Sequence, residues 1–117
     1  MNKTLLALTF AVVLPAHART AIVGSGNLTC ERYSELRAQG ITGGIEPAML
    51  AVIWMQGYLS GANAERIRNG RDNEVFNIPS SARGVQQMMD QACAGRSNTQ
   101  LMKLGIELSE GTIKVKP

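Results

Sequence analysis

The sequence predicts an all-α fold, a small four-helix domain stapled by one disulfide and preceded by a cleaved signal peptide. Three observations carry that prediction. Apolar residues after Pro47 and after Ile78 recur at three- and four-residue spacing, as in helices with a buried face. Capping residues, prolines and glycines bracket those runs at the places where helices start and stop. The 2 cysteines sit at the start of the first helical segment and near the end of the third. With 117 residues the chain has room for one compact domain. Its 44% hydrophobic and 18% charged residues are enough for a core and too little charge for a disordered chain.

Met1 to Ala18 (MNKTLLALTFAVVLPAHA) reads as an export signal. Lys3 is the positive start, Leu5 to Leu14 the apolar stretch, and Ala16-His17-Ala18 a small-x-small cleavage site. An apolar run of about ten residues is too short to cross a hydrocarbon layer of roughly 30 Å as a helix. Cleavage after Ala18 is expected, and the protein from Arg19 onward is expected in the periplasm of a bacterium. The domain plan is a signal peptide at 1–18, a flexible lead at 19–28, a helical domain at 29–111 and a C-terminal tail at 112–117. In an oxidising compartment two cysteines read as one structural disulfide, Cys30 to Cys93. Closing so long a loop is worth about 4 kcal/mol by the chain-entropy estimate.

Thr29 caps a first helix from Cys30 to about Ala38, and Gln39 to Gly44 breaks it. Glu46-Pro47 starts the second helix, with proline at its first position and an acid at the positive end of its dipole. The run AMLAVIWMQGYLSGAN follows, the longest apolar segment after the signal. Met49, Val52, Ile53, Gln56 and Leu59 share a side, with Trp54 and Tyr58 stacked at i, i+4 beside them. A helix so broadly apolar is expected at the centre of the fold. Gly57 and Gly61 each cost about 1 kcal/mol against alanine in a helix interior. They predict close approach of another backbone or large side chain, or of a ligand or partner lying on that stripe.

Asn63 to Asn77 is polar, with Asn69-Gly70 as a turn signal. Arg66, Arg68 and Arg71 against Glu65, Asp72 and Glu74 make it an exposed mixed-charge connection, either a solvated loop or a partner surface. Ile78-Pro79 opens a third helix, with Asn77 or Ser80 as its cap. Val85, Met88, Met89 and Ala92 form the apolar face, and Gly95 suits the position just past the end. Ser97 to Gln100 matches an S-x-x-Q capping box for a fourth helix carrying Leu101, Leu104 and Leu108, which Gly111 stops. Thr112 to Pro117 is a short basic tail expected to fray.

The chemistry inventory is short. The only histidine, His17, lies in the signal, so no Ser–His pair, Cys–His pair or histidine-ligated metal site is expected. Glu31 with Glu35 and Glu107 with Glu110 have acid–base spacing but read as solvated surface. Gly24-Ser25-Gly26 is only a fragment of a phosphate loop, and Ser80-Ser81-Ala82-Arg83 has Arg where an S-x-x-K pattern needs lysine. No enzyme activity, cofactor or metal is therefore expected. A net charge of +3, no basic run and 4% aromatic residues argue against nucleic acid as a partner. No stretch offers the eighteen or so apolar residues of a membrane helix.

Methionine is the unusual resource: of 6, all but Met1 follow the signal, at Met49, Met55, Met88, Met89 and Met102. Methionine fills irregular core gaps and also lines adaptable binding surfaces. The candidate partner surface is Met49, Trp54, Met55, Gly57, Tyr58, Gly61, Met88 and Met89.

A signal peptide, a helix beginning at Thr29-Cys30, an apolar helix carrying Trp54-Met55-Gln56-Gly57-Tyr58-Leu59-Ser60-Gly61-Ala62-Asn63, and a second cysteine closing a helix together resemble the HdeA/HdeB group of periplasmic proteins. The resemblance covers roughly Thr29 to Leu108. It implies an acid-stress chaperone: a folded homodimer at neutral pH that dissociates and partly unfolds in strong acid, then holds unfolded periplasmic clients soluble. The residues are compatible with such a switch. Protonation of the 9 acidic side chains near pH 4 leaves the chain strongly cationic, and self-repulsion favours opening that the disulfide limits. Surfaces around Trp54, Met55, Met88 and Met89 would then meet clients. A G-Y-x-x-G-like helix is also similar to one in Tai-type immunity proteins. The alternative expectation is thus a periplasmic binding, immunity or secretion–conjugation accessory protein. It would dock one folded protein at neutral pH, by the Gly57/Gly61 face or the Arg66–Arg71 loop.

Overall fold

Local chemistry sets where the helices begin and end. The computed structural model describes residues 24–41, 43–44 and 46–116; the expected signal peptide and residues 19–23 of the lead lie outside them. Thr29 is extended, and its hydroxyl accepts from the Arg32 amide at 3.2 Å, capping α1 (Cys30–Gln39). Pro47, with its φ already suited to a helix, opens α2 (Pro47–Arg68). The Ser81 hydroxyl accepts from the Gly84 amide at 3.0 Å and caps α3 (Ala82–Cys93). Gly111 takes the left-handed conformation, φ 71°, that ends α4 (Leu101–Glu110). Short 3-10 turns occupy Gly24–Asn27 and Asp72–Glu74. Among the described residues the protein is all-helical, with four α-helices and no strand.

Several boundaries differ from those read in the sequence. α2 runs on to Arg68, because Ala64 to Arg68 are helix-compatible and Arg68 pairs with Glu65 one turn back. The connection to α3 therefore begins at Asn69. Asn63, read as the start of that connection, sits within the helix. Its side chain donates to the Phe76 carbonyl and accepts from the Phe76 amide, both at 2.8 Å, fastening the returning chain to α2. The third helix starts at Ala82, capped by Ser81 rather than by Asn77 or Ser80. Ser97 does not cap the fourth helix; Gln100 occupies that position, without a side-chain capping bond. The carbonyls of Ser97 and Thr99 instead accept from the amides of Glu31 and Cys30, at 3.0 and 2.8 Å. They satisfy donors that the first turn of α1 cannot pair internally. Leu101 N–H donates back to the Leu28 carbonyl at 2.8 Å.

α2 is the central element, touching α1, α3, α4 and both 3-10 turns. Its buried face is Ala48, Ala51, Val52, Met55 and Leu59. Around it lie Tyr33 from α1, Val85, Met88, Met89 and Ala92 from α3, and Leu101, Leu104 and Leu108 from α4. Cys30 and Cys93 form the disulfide, Cα–Cα 5.3 Å apart across 63 positions of sequence, joining the first residue of α1 to the last of α3. Of the glycines in α2 and α4, Gly105 is the one set tightly against another helix. A Cβ there would stand 2.7 Å from Tyr58 Cδ1 and 3.2 Å from Met55 Sδ, so α4 lies against α2 only because the position is bare. The tail is not frayed up to Lys116. Ile113 and Val115 pack on the core, and the Lys116 amide donates to the Gln91 side chain at 2.9 Å.

Candidate functional site: the exposed face of α2 and the polar network under α1

From Pro47 to Ala64 the chain carries no charged side chain. α2 turns one side of that segment to the core and the other outward. Leu50, Ile53 and Ile67 are 65%, 56% and 55% exposed, and between them lie the exposed Gly57, Ser60, Gly61 and Ala64. These positions follow three- and four-residue spacing, so they form one uncharged stripe along a helix of 22 residues, about 33 Å long at 1.5 Å per residue. A Cβ built at Gly57 or Gly61 meets nothing within 4 Å. The close approach expected at these glycines within the chain is thus absent, and it occurs at Gly105 instead. Ile53 likewise faces outward rather than joining Val52 and Leu59 in the core.

Trp54 and Tyr58 flank the stripe as a stacked pair, ring centroids 5.5 Å apart and planes at 11°, as their i, i+4 spacing suggested. Both are half-buried, Trp54 beside Gly24 and Tyr58 over Gly105. Burial, then the nearby Glu110 carboxylate, raises the Tyr58 phenol above its ordinary range. Met49 is half-buried as well. Met55, Met88 and Met89 lie inside the core at 0%, 3% and 0% exposure. The eight residues singled out by sequence therefore divide into an exposed pair of glycines, a half-buried rim and three core methionines. The charges of the 65–74 region are partly matched locally, Arg68 with Glu65 and Arg71 with Glu74.

A second arrangement joins α1 to α3 and to the head of α2. Tyr33 is fully buried, and its hydroxyl donates to Asp90 Oδ1 at 2.9 Å. Arg37, one turn further along α1, donates to both Asp90 oxygens at 3.2 and 2.9 Å and to Glu46 Oε1 at 2.9 Å. Gln86 of α3 donates to the same Glu46 oxygen at 2.8 Å. Glu46, read as a helix-dipole residue, thus makes no side-chain cap and spends its carboxylate on this network. Burial, followed by the bond to Asp90, pushes the Tyr33 phenol far above its usual value. The bond to Asp90 is also the main reason that Arg37 holds its proton more firmly than a free guanidinium. The one sequence signal was Tyr33 and Arg37 at i, i+4 on an otherwise polar helix; nothing local named their partners.

Beside the disulfide runs an open groove of about 500 Å³, walled by Glu31, Ser34, Glu35 and Asp90 among others. Among the described residues no three of His, Cys, Asp and Glu are placed to hold a metal ion, and no helix is long and apolar enough to cross a membrane. No protein-family model matches the chain, and no curated protein or solved structure matches it either.

Proposed function

We propose that this chain is a non-enzymatic periplasmic protein of the HdeA/HdeB kind, an acid-stress chaperone that binds unfolded clients through apolar helix faces exposed at low pH. What supports the reading most is the way the core is closed. Met55, Met89 and Tyr33 are enclosed, and the end of α1 away from the disulfide is held in part by charge-assisted bonds from Arg37 to the Asp90 and Glu46 carboxylates. Acid neutralises those carboxylates and leaves the 11 Lys and Arg that follow the signal uncompensated, while the Cys30–Cys93 bond limits how far the chain opens. Delivery by the signal peptide and a neutral-pH homodimer belong to the same proposal. The test is apolar-dye binding and Trp54 fluorescence of the mature protein from pH 7 to pH 2, with aggregation of an unrelated client followed in parallel. Reversible opening near pH 3 that keeps the client soluble is the expected result. A protein still closed at pH 2 overturns the reading.

A second reading rests on the α2 stripe. Leu50, Ile53 and Ile67 around Gly57 and Gly61 offer a neutral-pH docking face for one folded partner, as an immunity or secretion–conjugation accessory protein would use. Here a single partner is captured at pH 7 by the wild-type chain and lost with Ile53→Lys. Binding of many unfolded proteins in acid alone argues for the chaperone instead.

A further inference from the structure

The ends of α1 are held in different ways. At its start, the disulfide and the backbone bonds from Cys30 to Thr99 and from Glu31 to Ser97 tie it to α3 and to the segment before α4. Past Tyr33 no residue of α1 is fully buried. That half is held by half-buried Leu36, by the Tyr33 hydroxyl, and by Arg37 spanning Asp90 of α3 and Glu46 at the head of α2. The connection to α2 begins at Gly40, φ 65°, and includes Gly43 and Gly44, also at positive φ, residues that allow a chain to change direction at little steric cost. A ten-residue helix is marginal in water by itself.

We infer that α1 is a strap hinged at its disulfide end, whose far end is released when Asp90 and Glu46 lose their charge. The inference rests on the acid-chaperone reading and names where opening begins. The charged and titratable groups at the strap are few. Arg37 faces Asp90, Glu46 and the Tyr33 hydroxyl; Asp90 faces Arg37 and Tyr33 and shares its groove with Glu31 and Glu35; Glu46 faces Arg37 and Gln86. Tyr33 stays protonated throughout, so it does not trigger release. A proton on either carboxylate cancels the charge that faces a permanently charged guanidinium, turning a charge-assisted bond into a weaker one, and docking weakens in acid. Once undocked, the half after Tyr33 melts and uncovers the head of α2 and the middle of α3, while the disulfide keeps the strap attached.

The experiment is residue-resolved amide exchange on the mature, oxidised chain, corrected for intrinsic rates. At pH 7 the double substitution Asp90→Asn with Glu46→Gln imitates the protonated state. The amides of Ser34 to Gln39 are expected to lose protection by about tenfold or more, the scale of a lost charged hydrogen bond, while Val52 to Leu59 keep theirs. Unchanged protection after Tyr33, or equal loss in both segments, overturns the inference. Should the double variant not fold, the wild-type chain decides: on stepwise acidification Ser34 to Gln39 must lose protection at a higher pH than Val52 to Leu59, and simultaneous loss overturns the strap. Client aggregation at the same pH values separates the two ideas. Strap release without client protection defeats only the chaperone, and client protection with α1 still docked defeats only the strap.

Discussion

The three helical glycines of the α2–α4 pair answer the same substitution with opposite signs. At Gly57 and Gly61 an added methyl meets nothing within 4 Å, and both backbones are helical. Alanine there recovers the helix-propensity difference, about 1 kcal/mol at each site. In a domain of this size that raises Tm by roughly 4–8 °C per site. At Gly105 the same methyl would lie 2.7 and 2.9 Å from the Tyr58 ring and 3.2 Å from Met55 Sδ. Met55 is fully enclosed, and Trp54 stacks on Tyr58, so neither neighbour moves freely. Overpacking of this kind costs about 1–3 kcal/mol. Set against the same propensity gain of about 1 kcal/mol, the net is a loss of up to about 2 kcal/mol. Thermal and urea unfolding of the oxidised protein, followed by circular dichroism, reads all three variants. A stabilised Gly105→Ala would refute the packing argument. A destabilised Gly57→Ala would refute the open stripe, because something must then cover it in solution.

Asn63→Ala removes two bonds to the half-buried Phe76 backbone and should cost about 1–3 kcal/mol, with faster exchange of the Phe76 amide as its local signature. The Tyr33 phenol is raised above its ordinary value of 10.0 in the folded state, so above that pH the unfolded chain loses its proton first. Stability must then fall as pH rises, by at most about 1.4 kcal/mol per unit. Tyr33→Phe should flatten that alkaline slope while lowering stability at pH 7, which urea unfolding at several pH values tests. Reduction of Cys30–Cys93 should lower stability by about 4 kcal/mol, and the unfolded but unreduced protein should show no reactive thiol.

Much of the fold was legible because it is encoded locally. A capping hydroxyl at Thr29, proline at Pro47 and a glycine at Gly111 act within one turn of chain, and each stands where sequence placed it. Other boundaries were misplaced where competing local signals existed. Ser97 matched a capping pattern, yet the fourth helix begins three residues further on, behind Gln100, and the Ser97 carbonyl accepts from the Glu31 amide of α1. The end of α2 was missed because the charged residues among 64–68 read equally well as loop or exposed helix.

The candidate site was legible only in composition. Sequence identified α2 as central, broadly apolar and carrying the Trp54–Tyr58 pair. A helix apolar on every side offers no periodicity to tell its buried side from its exposed one, so Ile53 and the two glycines were expected against a neighbour that is not there. The glycine that does allow close packing, Gly105, carries no mark in the sequence, because its role depends on Tyr58 reaching it from another helix.

By itself the sequence determined the helix count, the cysteine pair and which segments could supply a core. These follow from short-range propensity, capping and the number of thiols. Tertiary structure alone decided which face of α2 stays open and that Tyr33 and Arg37 meet Asp90 across 57 and 53 positions of chain. Burial and long-range ion pairing are properties of surfaces brought together, and no single segment contains the information about what will lie against it.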